Sequence, residues 1–334
     1  MRNTERFTAL LNGRQTDRLP VFEWASWWTE TCEAWYRQGL DRSISGSALN
    51  DYWKQDKVKQ FWLPVRDEGC PEPKFHGGPI VENEDDYRAV RPHLFTNRLL
   101  EKIDAEIGAY AKEHADDDVV YWFTLEGFFW FPRTLLGIEG HLYAFYDYPE
   151  LMLQINRDLT EYHKKCLNVV YRHIRPHFMT LAEDMSYNLG PMLSRTQYNE
   201  FMLPFYRELV PLIQEKGTKV LIDTDGQVEP LIPWFLDGGI EGILPLERMA
   251  GVDVNRIRRN FPELIMIGGF DKTVMHLGEE AMRSEFERIF PAMCSGRYIP
   301  SVDHQTPPDV TMENYAIFMR LQREYAKKAA DAMQ

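Results

Sequence analysis

From about residue 115 onward, short runs of β-branched or aromatic residues alternate with amphipathic helical stretches, and this alternation limits the fold more than any other feature. The runs are Val119–Thr124, Phe178–Glu183, Lys219–Asp223, Gly242–Leu246, Leu264–Gly268 and Tyr298–Asp303. Between them lie stretches with helical spacing: Leu151, Ile155, Leu159, Tyr162 and Cys166 form one apolar stripe. Ser194-x-x-Gln197 has the form of a capping box for a helix that Gly217 stops. A first helix is predicted after Asn3 or Thr4, with Phe7, Leu10 and Leu11 on one face and Gly13 at its end, and a last one from about Thr311 to Met333. A short strand over Leu19–Trp24 and a further one around Phe61–Val65 bring the expected total to eight. Eight strands with intervening helices, and no Gly-rich first βα turn, predict an α/β fold in the form of a single (β/α)8 TIM barrel over residues 1–334. Pro, Gly and charge clusters interrupt every periodic segment between about 25 and 115, so that stretch is expected to be a loop-rich helical elaboration over the pocket mouth.

Charge and composition narrow the function. Against 38 Lys+Arg stand 51 Asp+Glu, a formal charge of −13, and such a field repels nucleic acid and anionic membrane surfaces. No apolar run reaches membrane-spanning length and the first residues lack the apolar stretch of a signal peptide, so a cytoplasmic protein is expected. Cys32, Cys70, Cys166 and Cys294 have no C-x-x-C spacing and suggest reduced thiols, not a disulfide framework or a thiolate zinc site. Aromatic residues crowd at Trp24, Trp27 and Trp28, and again at Phe128–Phe131. They are either core filling or flat walls for a planar ligand.

In a barrel the reactive groups sit at the carboxyl ends of the strands. Here those ends are acidic: Glu23, Glu126, Glu183 with Asp184, Asp223 with Asp225, Glu247, Asp271, and Asp303 with His304. Converging carboxylates need a proton, a cation or a basic partner, which implies raised pKa values or a bound metal, the divalent metal being the simpler answer. Strand period puts Asp223 and Asp225 on one side, and Gly226 lets the chain turn away, although either Asp could instead cap a helix beginning near Val228. Glu247 would face the pocket unless it pairs with Arg248 or a neighbouring lysine, and Asp271 is as suited to a helix cap as to a ligand.

Taken together the segments Thr4–Phe7, Asp17–Val21, Glu183–Tyr187, Met192–Ser194, Asp223–Gly226, Gly242–Glu247, Gly268–Lys272 and Val302–Pro308 resemble the uroporphyrinogen decarboxylase superfamily, which also contains cobalamin-linked methyltransferases. The resemblance covers about residues 4–20 and 119–325 and implies a barrel. True decarboxylases of this superfamily carry an arginine-rich R-Q-A-G-R motif that grips substrate carboxylates, where this chain has Glu23-Trp24-Ala25-Ser26-Trp27-Trp28. Without that guanidinium clamp, porphyrinogen decarboxylation is disfavoured. The methyltransferase branch holds zinc with a H-x-C pair and a further cysteine, and the matching positions here are Asp223-x-Asp225 and the region of Asp303-His304. The resemblance therefore implies an oxygen and nitrogen ligand set of Asp223, Glu247 and His304 for zinc or another divalent metal.

The expected function is that of a corrinoid-dependent methyltransferase or O-demethylase component. It would transfer a methyl group from a small methoxylated aromatic donor to the cobalt of a partner corrinoid protein. Asp223, Glu247, His304 and Tyr187 are the expected catalytic groups, and Trp24, Trp27, Phe128, Glu183, Asp184, Asp225 and Asp303 the substrate contacts. The rivals are a metal-free decarboxylase of tetrapyrrole biosynthesis and a non-catalytic barrel that binds a corrinoid protein or tetrapyrrole. A homodimer is compatible with either.

Overall fold

Seven of the eight expected strands form one curled, all-parallel sheet, and the eighth does not form. In the computed structural model, which describes residues 1–333, the strands are β1 (Val58–Trp62), β2 (Val120–Glu126), β3 (Phe178–Ala182), β6 (Lys219–Asp223), β7 (Gly242–Leu244), β8 (Ile265–Phe270) and β9 (Tyr298–Val302), with β4 (Ser186–Tyr187) and β5 (Gly190–Pro191) making a separate antiparallel hairpin. The seven run in the order β1-β2-β3-β6-β7-β8-β9, each bonded to the next in chain order. Every residue of β3, β7, β8 and β9 is buried because helices cover one face and inward side chains fill the other, while β1 is mostly half-buried. β1 begins three residues earlier than the sequence suggests and belongs to the same stretch, 25–115, that carries the helices Thr29–Arg37, Ala48–Tyr52, Glu84–Val90 and Asn97–Glu113.

Leu19–Trp24 lies between β9 and β1, where the eighth strand was expected, but side chains take the place of a ladder. Asp56 accepts the Val21 N–H at 2.8 Å, Gln55 accepts that of Glu23 at 3.3 Å, and only Asp56 N–H to Val21 carbonyl, 2.8 Å, is a backbone bond to the β1 side. Toward β9, the Glu23 carboxylate accepts the Ser301 hydroxyl at 2.7 Å and the Val302 N–H at 3.2 Å, while the Trp24 indole donates to the Val302 carbonyl at 2.9 Å. Pro20 also removes one donor from the segment. An apolar alternation identifies an extended segment, but it does not show whether the bonding groups will be backbone or side chain.

The helices follow their apolar stripes, and their ends follow capping chemistry. Leu151, Ile155, Leu159, Tyr162 and Cys166 are fully buried on Pro149–His173, at about 1.5–3 kcal/mol for each large apolar side chain. Ser194 accepts the Gln197 N–H at 3.2 Å while the Gln197 amide oxygen accepts the Ser194 N–H at 2.8 Å, so the capping box forms. The helix it opens ends at Phe201, and a second runs Leu203–Gln214, because Pro204 cannot continue the first. The first helix, Asn3–Leu11, is capped not by Asn3 or Thr4 but by the distant Asp118 carboxylate, which accepts the N–H groups of both, and by Glu5, which accepts the Arg2 N–H at 3.0 Å. The last helix, Met312–Ala332, is capped by Thr311 as its sequence predicts. Among the described residues no helix is long and apolar enough to cross a membrane.

Candidate active site

The carboxyl ends of β6, β7, β8 and β9 bring a dense group of charged side chains together. Asp223 ends β6, and its carboxyl has no hydrogen-bond partner among the described residues. Burial, then the charges of Asp225 and Asp184, push it up to about 8, with His304 opposing. Asp223 thus holds a proton at neutral pH. Neither Asp223 nor Asp225 caps the helical turn that starts at Glu229, so the local use the sequence allowed them is not taken. Gly226 has φ +81°, and a Cβ there would lie 2.7 Å from the backbone of Tyr187, so glycine is what lets the β4–β5 hairpin close down on this turn. Tyr187 accepts the Gln227 N–H through its carbonyl at 2.9 Å, and its side chain is about half exposed above the site.

Asp225, Glu247 and His304 are the residues whose ligand atoms converge, all within 4.8 Å of one another, with Asp225 in the place expected for Asp223. The His304 Nε2 lies 3.5 Å from the Asp225 carboxylate, and this partner raises the imidazole pKa above its usual value. Trp24 and Trp28 stand edge-on to the same imidazole at 6.1 and 6.5 Å between ring centres, forming an aromatic wall on that side. Glu247 accepts the Gly226 N–H at 2.9 Å and faces the Lys272 ammonium at 3.5 Å. Glu247 therefore pairs with a lysine, and not with Arg248.

Four expected contacts turn away from the pocket. Asp303 is fully buried: one oxygen accepts the Arg248 N–H at 2.8 Å, the other the Lys272 N–H at 3.2 Å, so it ties the loops after β7 and β8 to β9. Burial lifts it to about 6 although Lys272 opposes the shift. Glu183 is likewise fully buried and accepts N–H groups of Phe128 at 2.8 Å, Phe129 at 2.7 Å and Trp130 at 3.4 Å, and the Tyr206 hydroxyl. Desolvation outweighs these donors and lifts it to about 7. Phe128 packs beneath the site against Phe205 and Tyr206, and Trp27 joins the cluster of Trp35 and Tyr315. Their aromatic surface is core, as the plainer reading of the sequence allowed. At two further strand ends, Glu23 bonds β9 as described above, and Asp271 caps its own turn by accepting the Thr273 N–H at 2.9 Å.

Asp184 does face the site, from a left-handed backbone at φ 40°, and Arg133 holds it: the guanidinium reaches its carboxylate at 3.0 Å and its carbonyl at 3.1 Å. Arg133 and Lys272 are the charged partners of the cluster that strand-end reasoning missed. The signal was present, since Arg133 lies in the first helical turns after β2 and Lys272 directly follows the β8 end motif.

Asp225, Glu247 and His304 form a candidate group for a divalent cation, and each also has a partner within the chain. The donor set of Asp225, Glu247 and His304 is chemically suitable, but ligand atoms around zinc stand about 3.4 Å apart, and here Glu247 is engaged by an amide and an ammonium and His304 by Asp225. Lys272 and Arg133 bring positive charge against Glu247, Asp303 and Asp184. Lys272→Met should accordingly raise zinc affinity at least about tenfold by titration calorimetry, the removal of one close repulsion. Equal affinity in the two chains would show that Lys272 does not stand in a metal's place.

A curled parallel sheet with a charged cluster at the carboxyl ends of its strands defines a barrel-like α/β protein. The family model for uroporphyrinogen decarboxylase (URO-D) matches residues 136–325, more than half of the chain, and the protein belongs to this family of enzymes. No curated protein sequence matches it. Among solved structures, it is similar to one described provisionally as a vitamin-B12-independent methionine synthase from Listeria monocytogenes. The identity is 11%, covering 83% of this chain and 99% of that one, at a TM-score of 0.34.

Proposed function

We propose that the chain is the methyl-donor-binding component of a corrinoid-dependent methyl transfer, working as a (β/α)8-type barrel in which Asp223 protonates the leaving heteroatom. The observation that carries this reading is the Asp223 carboxyl, unpartnered and held to about 8 by burial and two neighbouring carboxylates. A methyl ether gives up its methyl group more readily when the departing oxygen gains a proton, and an acid that is still protonated at neutral pH can provide it. The corrinoid of a partner protein would supply the nucleophile that takes the methyl group. On this chain, the proton leaves Asp223 for the ether oxygen, the carbon–oxygen bond breaks, and the product leaves as an alcohol or phenol. His304, whose pKa its Asp225 partner raises, is the group that would return the proton to the new Asp223 carboxylate. Trp24 and Trp28 form one wall for a planar donor, Tyr187 on its hairpin is positioned to cover it, and Lys272 and Arg133 hold Glu247 and Asp184 in place.

The test is turnover of methoxylated aromatics with a cobalamin acceptor, followed by product analysis. A phenol appearing with methylated cobalamin supports the reading. Release of carbon dioxide from a porphyrinogen instead supports the decarboxylase reading that the family name favours, in which the same acid would protonate the carbon left behind. A chain that binds a corrinoid protein but turns over neither substrate would be a binding barrel. The pH profile gives a further check: Asp223 must be protonated to act, so kcat/KM should hold below its pKa and fall about tenfold per unit above about pH 8. A rate that rises through that range would assign Asp223 the role of a base.

A further inference from the structure

The loop around Phe75–Val81 and the helix Ile138–Asp147 enclose a groove of about 690 Å³ that the chemistry at Asp223 does not use. Phe75, Pro79 and Val81 line it from the loop, and Ile138, Tyr143 and Tyr148 from the helical side. Backbone bonds tie the two walls together: the Ile138 N–H donates to the Gly77 carbonyl at 3.0 Å, and the Ile80 and Val81 N–H groups donate to the Leu135 carbonyl at 2.8 and 3.0 Å. The helix buries His141, Ala144 and Phe145 on its inner face, yet Ile138, Leu142, Tyr143 and Tyr146 leave its outer face apolar as well. Tyr143 is 60% and Phe75 65% exposed. An exposed apolar surface of this kind marks a place of interaction. Gly140 also lines the groove, and a Cβ there would have no heavy atom within 4 Å, so the missing side chain leaves open space above the helix.

Charge decides what fits. Glu82, Glu139 and Asp147 are the charged groups of the lining, their side chains are exposed, and no Lys, Arg or His lines the groove with them. A second copy joined by a two-fold axis would set these carboxylates against their own counterparts, which is repulsive. A small molecule would be covered from one side only, whereas small-ligand sites enclose most of the ligand surface. A protein segment that carries apolar side chains between basic ones satisfies both the rings and the carboxylates. The groove also adjoins the catalytic face. Arg133, which holds Asp184 at 3.0 Å, lies on the helix Trp130–Leu136, and Leu136, about 4.5 Å further along the axis, lines the groove.

We propose that this groove is the docking site for a protein partner, which enters it with an apolar side chain flanked by lysine or arginine. The proposal goes beyond the reaction at Asp223 and stands independently of the substrate that this residue serves.

The experiment uses the full chain and three short rhodamine-labelled peptides, with binding read by fluorescence anisotropy. One carries leucine and tryptophan flanked by lysines, the second the same apolar pair flanked by glutamates, and the third serines flanked by lysines. The first should bind at least about tenfold more tightly than either control. Gly140→Gln fills the groove without changing the charge, and should weaken that binding about tenfold while the melting temperature holds or rises, since glutamine is the better helix former. Glu139→Gln with Asp147→Asn should remove most of the advantage of lysine over glutamate. Wild type that binds the three peptides equally overturns the proposal. So does a Gly140→Gln chain that binds the first peptide as wild type does, because the attraction is then to the acidic surface as a whole. A dimer in sedimentation that Gly140→Gln dissociates would assign the groove to a second copy, and would overturn it as well.

Discussion

Asp223→Asn should lower the turnover of the methyl donor by about 10²–10⁴, the range for removing a positioned acid, and should leave the fold intact or more stable. Asparagine has nearly the same shape and no proton to give, so substrate affinity should change little while kcat falls. The stability effect has a definite sign. The folded-state pKa of Asp223, about 8, lies above the unfolded value of 3.8, so its contribution is fully present below about pH 4 and is lost as pH rises toward 8. Asparagine loses nothing over that range. The two chains should therefore melt alike near pH 4, and the variant should melt higher near pH 8. A variant that retains full activity would remove Asp223 from the mechanism, whatever its stability.

The second large effect is structural. Glu183→Ala should cost about 3–5 kcal/mol, because it leaves the Phe128, Phe129 and Trp130 N–H groups and the Tyr206 hydroxyl without their acceptor in a fully buried place. Those amides begin the helix that carries Arg133, so the Arg133–Asp184 contact should loosen with them. Chemical denaturation gives the free energy directly. A loss under about 1 kcal/mol would mean that water enters and replaces the carboxylate. Glu183→Gln should fall between alanine and wild type, since an amide keeps one acceptor oxygen but turns an N–H toward donors.

What could be read from the sequence follows from which properties are local. Strand and helix positions depend on the period of apolar residues within one segment, so β2, β3, β6, β7, β8 and β9 and the stripe of Pro149–His173 were legible. Leu19–Trp24 has the same alternation but forms no ladder, because the distant Asp56 and Gln55 side chains take its N–H groups and its own Glu23 carboxylate takes the Val302 N–H of β9. The acidic strand ends were legible for the same local reason. Which of them face the pocket was not: Glu183 and Asp303 are claimed by amides of residues 128–130, 248 and 272, neighbours that only the closed sheet provides. Asp225 took the place expected for Asp223 because the turn at Gly226 carries it toward His304 and Glu247. The counter-charges came from Lys272 and Arg133, residues on helical turns after the strands, to which a reading of strand ends gives no weight.

Difference infrared spectroscopy of wild type against Asp223→Asn, titrated from about pH 6 to about pH 10, reads the proton on this side chain without substrate or partner. A carboxylic acid C=O band present at neutral pH, missing in the variant and disappearing with a midpoint near 8, is the predicted result. A wild-type spectrum showing only ionised carboxylate from Asp223 at about pH 6 contradicts it, and with it the role of this residue as the acid.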